Sequence, residues 1–144
     1  MSRTNVSRYN SEGYPDPTAY EAMSAVVLEE KTKERVYRPL VYICSPFAGD
    51  VERNIENARK YCRFAVSRKA IPLAPHLHYP QFMDDGDPAQ RKDGLWFALI
   101  LLGKTDELWV FGERVSEGMK REIAKARAKG IPIKFFTEDC EVKA

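Results

Sequence analysis

The chain has 144 residues, is 44% hydrophobic, and carries 23 basic and 21 acidic side chains for a formal net charge of +2. That length fits one domain with a sizeable core, and nothing in the near-even charge suggests a surface built for a nucleic-acid polymer. The longest apolar run, Leu95 to Leu102, is too short to span a bilayer.

Residues 1–15 are polar and rich in Ser, Asn, Arg and Tyr, and read as an arm or an engaged tail that ends at Pro15 and Pro17. Thr18 to Lys33 reads as a helix, with Tyr20, Met23, Val26 and Val27 at roughly helical spacing, giving residues 1–37 the form of an N-terminal helical extension. The compact domain, residues 38–144, opens with Leu40-Val41-Tyr42-Ile43-Cys44, a short apolar run suited to a buried strand. It breaks at Ser45-Pro46-Phe47-Ala48-Gly49. Asp50 then caps a helix from Val51 to about Lys69, with Ile55, Ala58, Cys62, Ala65 and Val66 as its apolar stripe. Ile71 to Pro75 reads as a second strand, and His76-Leu77-His78-Tyr79 as the loop at its end. After the acidic loop Asp84 to Asp87, Pro88 suits the first turn of a helix running to about Gly103. Asp106 to Phe111 is the third strand, Glu117 to Lys129 a helix stopped by Gly130, and Ile131 to Phe136 the last strand.

Alternating strands and helices imply an α/β fold, flavodoxin-like or Rossmann-like, with a parallel sheet between two helical layers. The loops after the first three strands then share one rim, where ligands bind in such folds. One carboxylate near that rim stands out. Glu122 lies between Met119 and Ile123 on the helical wheel, at the edge of a face that must be buried, so it is either paired with a cation such as Lys125 or Lys129 or kept for chemistry.

The combination Tyr42-Ile43-Cys44-Ser45-Pro46-Phe47, Ala74-Pro75-His76, Asp106-Glu107-Leu108-Trp109-Val110-Phe111-Gly112 and Ser116-x-Gly118-Met119-x-x-Glu122-Ile123 resembles the nucleoside 2-deoxyribosyltransferase-like superfamily, in particular a compact bacterial and phage branch. The similarity covers about residues 38 to 136. It implies that Glu122 is the nucleophile attacking C1′ of a (deoxy)ribosyl group, that Tyr42 orients it, and that Ser45, Pro46, Phe47 and Gly49 lie near the sugar or a phosphate, with His76 and with Ser116, Gly118 and Met119 of the second loop. Asp93 falls in the helix where an acid assisting the leaving base is expected. Where the transferases carry an Asp six residues before the nucleophile, this chain has Ser116, as in the nucleotide hydrolases. Superfamily members assemble as dimers or larger; the Trp96-Phe97 and Tyr79-Phe82 stretches suit such a contact, and the helix Leu95 to Leu102, apolar almost all round, is expected to be covered on both sides.

The residue types fit that chemistry. Breaking an N-glycosidic bond passes through a cationic sugar, which a poorly solvated carboxylate stabilises and traps. Free N–H groups at the starts of the Val51 and Glu117 helices suit a phosphate or sugar hydroxyl. His76-Leu77-His78 lacks the further ligands of a metal site, and no Gly-x-Gly-x-x-Gly is present, so neither metal nor organic cofactor is expected. Three cysteines, Cys44, Cys62 and Cys140, without a secretory signal imply reduced thiols and a cytoplasmic setting. The expected function is N-glycosidic cleavage or (deoxy)ribosyl transfer on a nucleoside or nucleotide. The alternatives are a binding module that sequesters a nucleotide-derived small molecule of ADP-ribose type, and a partner-binding domain that has kept the fold alone.

Overall fold

The computed structural model describes residues 21–25 and 37–143. The chain divides into two compact units, residues 1–38 and 39–144. In the first, residues 21–25 are helical and exposed. The remaining expectations for the N-terminal arm and helix lie outside the described residues.

The second unit is an α/β domain. Its strands are β1 (Leu40–Cys44), β2 (Ile71–Leu73), β3 (Glu107–Phe111) and β4 (Ile133–Phe136), and its main helices are α1 (Val51–Ser67), α3 (Pro88–Leu102) and α4 (Glu117–Lys129). The sheet is parallel throughout, in the order β2-β1-β3-β4. Tyr42 faces Leu73 on one side and Leu108 on the other, and Val110 stands beside Phe135. From β1 the chain moves outward to β2, and from β3 it moves the opposite way to β4. The crevice between the carboxyl ends of β1 and β3 is therefore the switch point where α/β sheets bind ligands.

Period-two alternation along the strands divides the core into two layers. Val41, Ile43, Trp109, Phe111 and Phe136 pack with Tyr61 and Ala65 of α1. On the opposite face Tyr42, Cys44, Leu108 and Val110 pack with Leu102 of α3 and with Met119, Ile123 and Ala126 of α4. The fold is thus the expected flavodoxin-like three-layer arrangement. Each large side chain fully buried here contributes roughly 1.5–3 kcal/mol.

Local signals set the helix ends. The Asp50 carboxylate accepts from Arg53 N–H at 3.3 Å to start α1, and Asp87 accepts from Ala89 N–H at 3.0 Å to start α3, with Pro88 next. The Ser116 hydroxyl accepts from Met119 N–H at 3.3 Å to start α4. Gly130, at φ 69°, ends α4 in the left-handed conformation.

Three details differ from the sequence reading. The second strand stops at Leu73, because Pro75 at the first helical position opens a short helix α2 (Pro75–His78), followed by a 3-10 turn at Tyr79–Gln81 where a loop is expected. The inner stripe of α1 runs through Ala58, Tyr61 and Ala65, while Val66 points outward at 59% exposure. Within a single chain α3 is covered on one side only. Trp96 and Phe97 lie on its exposed surface, and so does Ile100.

Candidate active site

Tyr42 and Cys44 are two residues apart on β1, so both side chains point to the α3/α4 face, towards Glu122 in the second turn of α4. Tyr42 and Cys44 are buried, and Glu122 lies on the partly covered edge of α4. Its Oε2 is out of contact with solvent and has no hydrogen-bond partner among the described residues. Burial pushes the Glu122 carboxyl up to about 7, while the nearby Tyr42 hydroxyl and Cys44 thiol act in the opposite direction. The same contact, added to burial, raises both the Tyr42 phenol and the Cys44 thiol well above their ordinary values. No cation among the described residues takes part. Lys125 and Lys129 form no ion pair with Glu122, and the Lys129 ammonium lies instead near Gly103.

Glu122 opens on a cavity of about 390 Å³ between α3 and α4. Leu95, Trp96 and Leu99 give it an apolar wall, Gly118 leaves its α4 side open, and Arg91, Lys92 and Arg121 stand at its border. A Cβ placed on Gly118 would meet only the Ser116 Oγ, at 3.9 Å, so the glycine leaves room for the cavity rather than relieving a clash.

A second cleft, of about 510 Å³, lies at the switch point on the α1 side, with Ser45, Pro46, Gly112 and Arg114 along it. It is the larger and the more polar of the two, and most of its polar side chains have partners among the described residues, Arg114 excepted. Glu138 accepts from Arg53 at 3.4 Å and from Asn57 at 3.2 Å, and the Asn54 amide donates to the carbonyls of Phe47 and Ala48 at 2.9 and 3.0 Å. The Glu122 cavity instead is bordered by a residue whose buried Oε2 has no partner among the described residues, which costs free energy. It is the better candidate.

The other expected site residues fall into separate places. Ser45 is buried, and its Oγ lies 3.0 Å from His76 Nε2, with Phe47 edge-on to the imidazole. Gly49, at φ 97°, turns the exposed loop before α1. Ser116 is exposed at the start of α4, whereas Met119 is 1% exposed and packs in the core, away from the cavity. Asp93 lies on the exposed side of α3 and does not line the Glu122 cavity. Among the described residues no three His, Cys, Asp or Glu side chains gather in a way that holds a metal ion, and no helix is long and apolar enough to cross a membrane.

A family profile described as a domain of unknown function, DUF7768, matches residues 39–136. The chain belongs to that family. The matched span runs from β1 to β4, so the residues around Glu122 all lie within the DUF7768 portion. A search of curated proteins finds no match. Among solved structures the DUF7768 domain is similar to a 2-deoxyribosyltransferase from the psychrotolerant bacterium Bacillus psychrosaccharolyticus, with 17% identity and a TM-score of 0.54 over 72% of this chain and 76% of that one. At that identity the likeness speaks for the fold.

Two sets of residues around Glu122 have no role in the sequence reading. Cys44 was legible as the same-face neighbour of Tyr42 by strand alternation. Arg91 and Lys92 follow Pro88 at helical spacing and precede Leu95, and Arg121 follows Gly118 by three. The missing information was that these two helix faces meet.

His76 has a measurable signature of its own. Burial pushes its imidazole down to about 4, so the folded state holds it neutral. Its contribution to stability is complete above about 6.5 and is lost as pH falls from there towards 4. A His76→Asn variant is expected to lose roughly 2 kcal/mol less stability than wild type between pH 7 and pH 4.5, read by urea unfolding at the two pH values. Equal losses in both proteins would show that the imidazole is protonated without cost in the fold.

Proposed function

We propose that this domain breaks or transfers an N-glycosidic bond of a nucleoside or nucleotide, with Glu122 as the nucleophile. The observation that carries the reading is a buried carboxyl with an unpartnered oxygen, on a residue that borders a cavity, in the helix that follows the central strand β3. The fold likeness to a 2-deoxyribosyltransferase supports it at a coarser level.

In this reading the ionised Glu122 attacks C1′. The bond from C1′ to the base nitrogen breaks with its electron pair going to the base, which takes up a proton as it leaves. The resulting glycosyl ester is then opened by water or by a second base, returning the carboxylate with retention at C1′. Tyr42 acts as the orienter, and Cys44 joins it as a second donor. Asp93 becomes the acid only where a second copy covers the outer face of α3, where Phe97 and Ile100 are exposed. The oligomer is therefore part of the proposal, and sizing at micromolar concentration checks it. A monomer there removes Asp93 from the mechanism.

The test incubates wild type and Glu122→Ala with 2′-deoxynucleosides, their 5′-monophosphates and NAD-type dinucleotides, and reads released base by chromatography. Release by wild type alone is expected. Wild type that releases no base from any of them defeats the reading and turns attention to a module that holds its ligand unchanged.

Tyr42→Phe gives an independent check. A nucleophile that must be ionised makes kcat/KM rise with pH through about 7. Removing a donor to the carboxylate, an interaction of about 1.5–3 kcal/mol, moves that limb about one to two pH values higher. The variant is then slower than wild type at pH 7 and closer to it at pH 9. A limb that stays in place means that Tyr42 is a core aromatic and nothing more.

A further inference from the structure

The border of the Glu122 cavity carries three cations that do nothing for the fold. Exposed helical cations commonly pair with carboxylates three or four residues away. This chain does so elsewhere, with Arg59 bonded to Glu56 at 2.8 Å and Lys120 to Glu117 at 3.1 Å. Arg91, Lys92 and Arg121 make no side-chain hydrogen bond or ion pair among the described residues. The carboxylates within helical reach are otherwise engaged, since Asp87 caps α3 and Glu117 holds Lys120. Asp93 is adjacent to Lys92 in sequence and so does not share its face. Nor do the cations serve Glu122, whose neighbours are Tyr42 and Cys44. Two arginines and a lysine therefore converge from α3 and α4 on one apolar cavity with an unpartnered carboxyl oxygen at its edge and a 63% exposed Trp96 in its wall.

We infer that the ligand of this cavity is a nucleotide carrying a 5′-phosphate chain, its phosphates held by Arg91, Lys92 and Arg121 and its base against Trp96. The inference rests on the reaction proposed above and narrows its substrate. Arginine offers forked donors matched to phosphate oxygens, and lysine adds a point charge. One phosphomonoester carries a charge of about −1.5 to −2 near neutral pH, so a diphosphate matches three cations better. The exposed indole is a stacking surface for any base. Arg91, Lys92 and Arg121 thus become specificity-determining residues, separate from the serines and helix starts that the sequence alone suggests for a phosphate.

The experiment measures affinity by titration calorimetry on Glu122→Gln protein, which cannot consume its ligand. The probes are the four common 2′-deoxynucleosides and their 5′-mono- and 5′-diphosphates, at low and at physiological salt. For at least one base, each added phosphate is expected to tighten binding by about tenfold. Added salt should weaken the phosphorylated ligands alone. Arg121→Gln and the Arg91→Gln/Lys92→Gln pair should bring the phosphates back towards nucleoside affinity, and Arg121→Lys should recover part of the loss. Lys125→Gln, which lies outside the cavity, should change nothing. Unfolding midpoints of the exposed-site variants serve as the check on folding.

Nucleosides that bind as tightly as their phosphates, affinity that survives loss of the three cations, or no binding by any probe overturns the inference. Wild type that cleaves nucleosides through Glu122 with no gain from phosphate defeats the inference and leaves the proposed reaction standing. Phosphates held through Arg121 but never cleaved by wild type have the reverse effect.

Discussion

Glu122→Gln is expected to lower the rate of base release by about 10⁴-fold or more, the scale of losing an attacking group rather than an accessory one. The same variant is expected to make the protein more stable in alkaline solution. The carboxyl is pushed from its ordinary 4.5 up to about 7 by burial. Its raised value means that the folded state resists ionisation, so the cost to folding is absent below about 4.5, grows as pH rises, and is complete above about 7. Glutamine is uncharged at every pH. At pH 8 the variant should gain up to roughly 3 kcal/mol, and near pH 4.5 the two proteins should unfold together. Denaturant midpoints at the two pH values read the difference. A structural carboxylate paired with a lysine predicts the opposite, a loss of stability at pH 8. One substitution thus separates a residue retained for chemistry from one retained for the fold.

Phe111→Ala is expected to cost about 3–5 kcal/mol, a large share of the 5–15 kcal/mol typical of a domain of this kind. Phe111 ends β3 with no solvent exposure. Its ring stacks on Tyr61 at 4.2 Å and on Phe136 at 5.0 Å, and meets Phe64 edge-on at 6.1 Å. Removing it opens a void under α1 that three neighbouring rings cannot fill together. Phe135→Ala is the control. That ring is 36% exposed on the edge strand β4, and its loss should cost about 1 kcal/mol or less. Because Phe111 lies on the sheet face opposite Glu122, any folded fraction of Phe111→Ala should keep wild-type affinity for a ligand of the Glu122 cavity. Equal costs at positions 111 and 135 would place the core elsewhere.

The fold was legible wherever a pattern outlasted its neighbourhood. β1 and β3 are continuous apolar runs, as buried parallel strands require, and α3 and α4 carry their own start signals at Asp87 and Ser116. The reading failed where one residue could serve two structures. Pro75 suits the end of a strand and the start of a helix equally, and α2 took the second course. Cys62 and Val66 fit an apolar stripe on α1, but the bulk that fills the layer comes from Tyr61, whose polar tip disguises it. For the site, the motif around Glu122 identified the carboxylate. Its surroundings come from long-range pairing, because a cavity between α3 and α4 belongs to neither helix alone. That explains why Arg91, Lys92 and Arg121 went unnoticed, and why Asp93, on the right helix, faces the wrong way for a single chain.

The three thiols differ in a way that turns the chain into its own reporter. Cys44 has no exposed surface and its thiol is held protonated beside Glu122, whereas Cys62 and Cys140 are only partly covered. An alkylating reagent attacks thiolate, so Cys44 reacts only when β1 separates from α4. With Cys62 and Cys140 replaced by serine, the rate of labelling at position 44 becomes a clock for opening of the central strand, running on the timescale of local unfolding. A ligand seated against Glu122 should slow that clock, which allows occupancy of the cavity to be followed without any turnover.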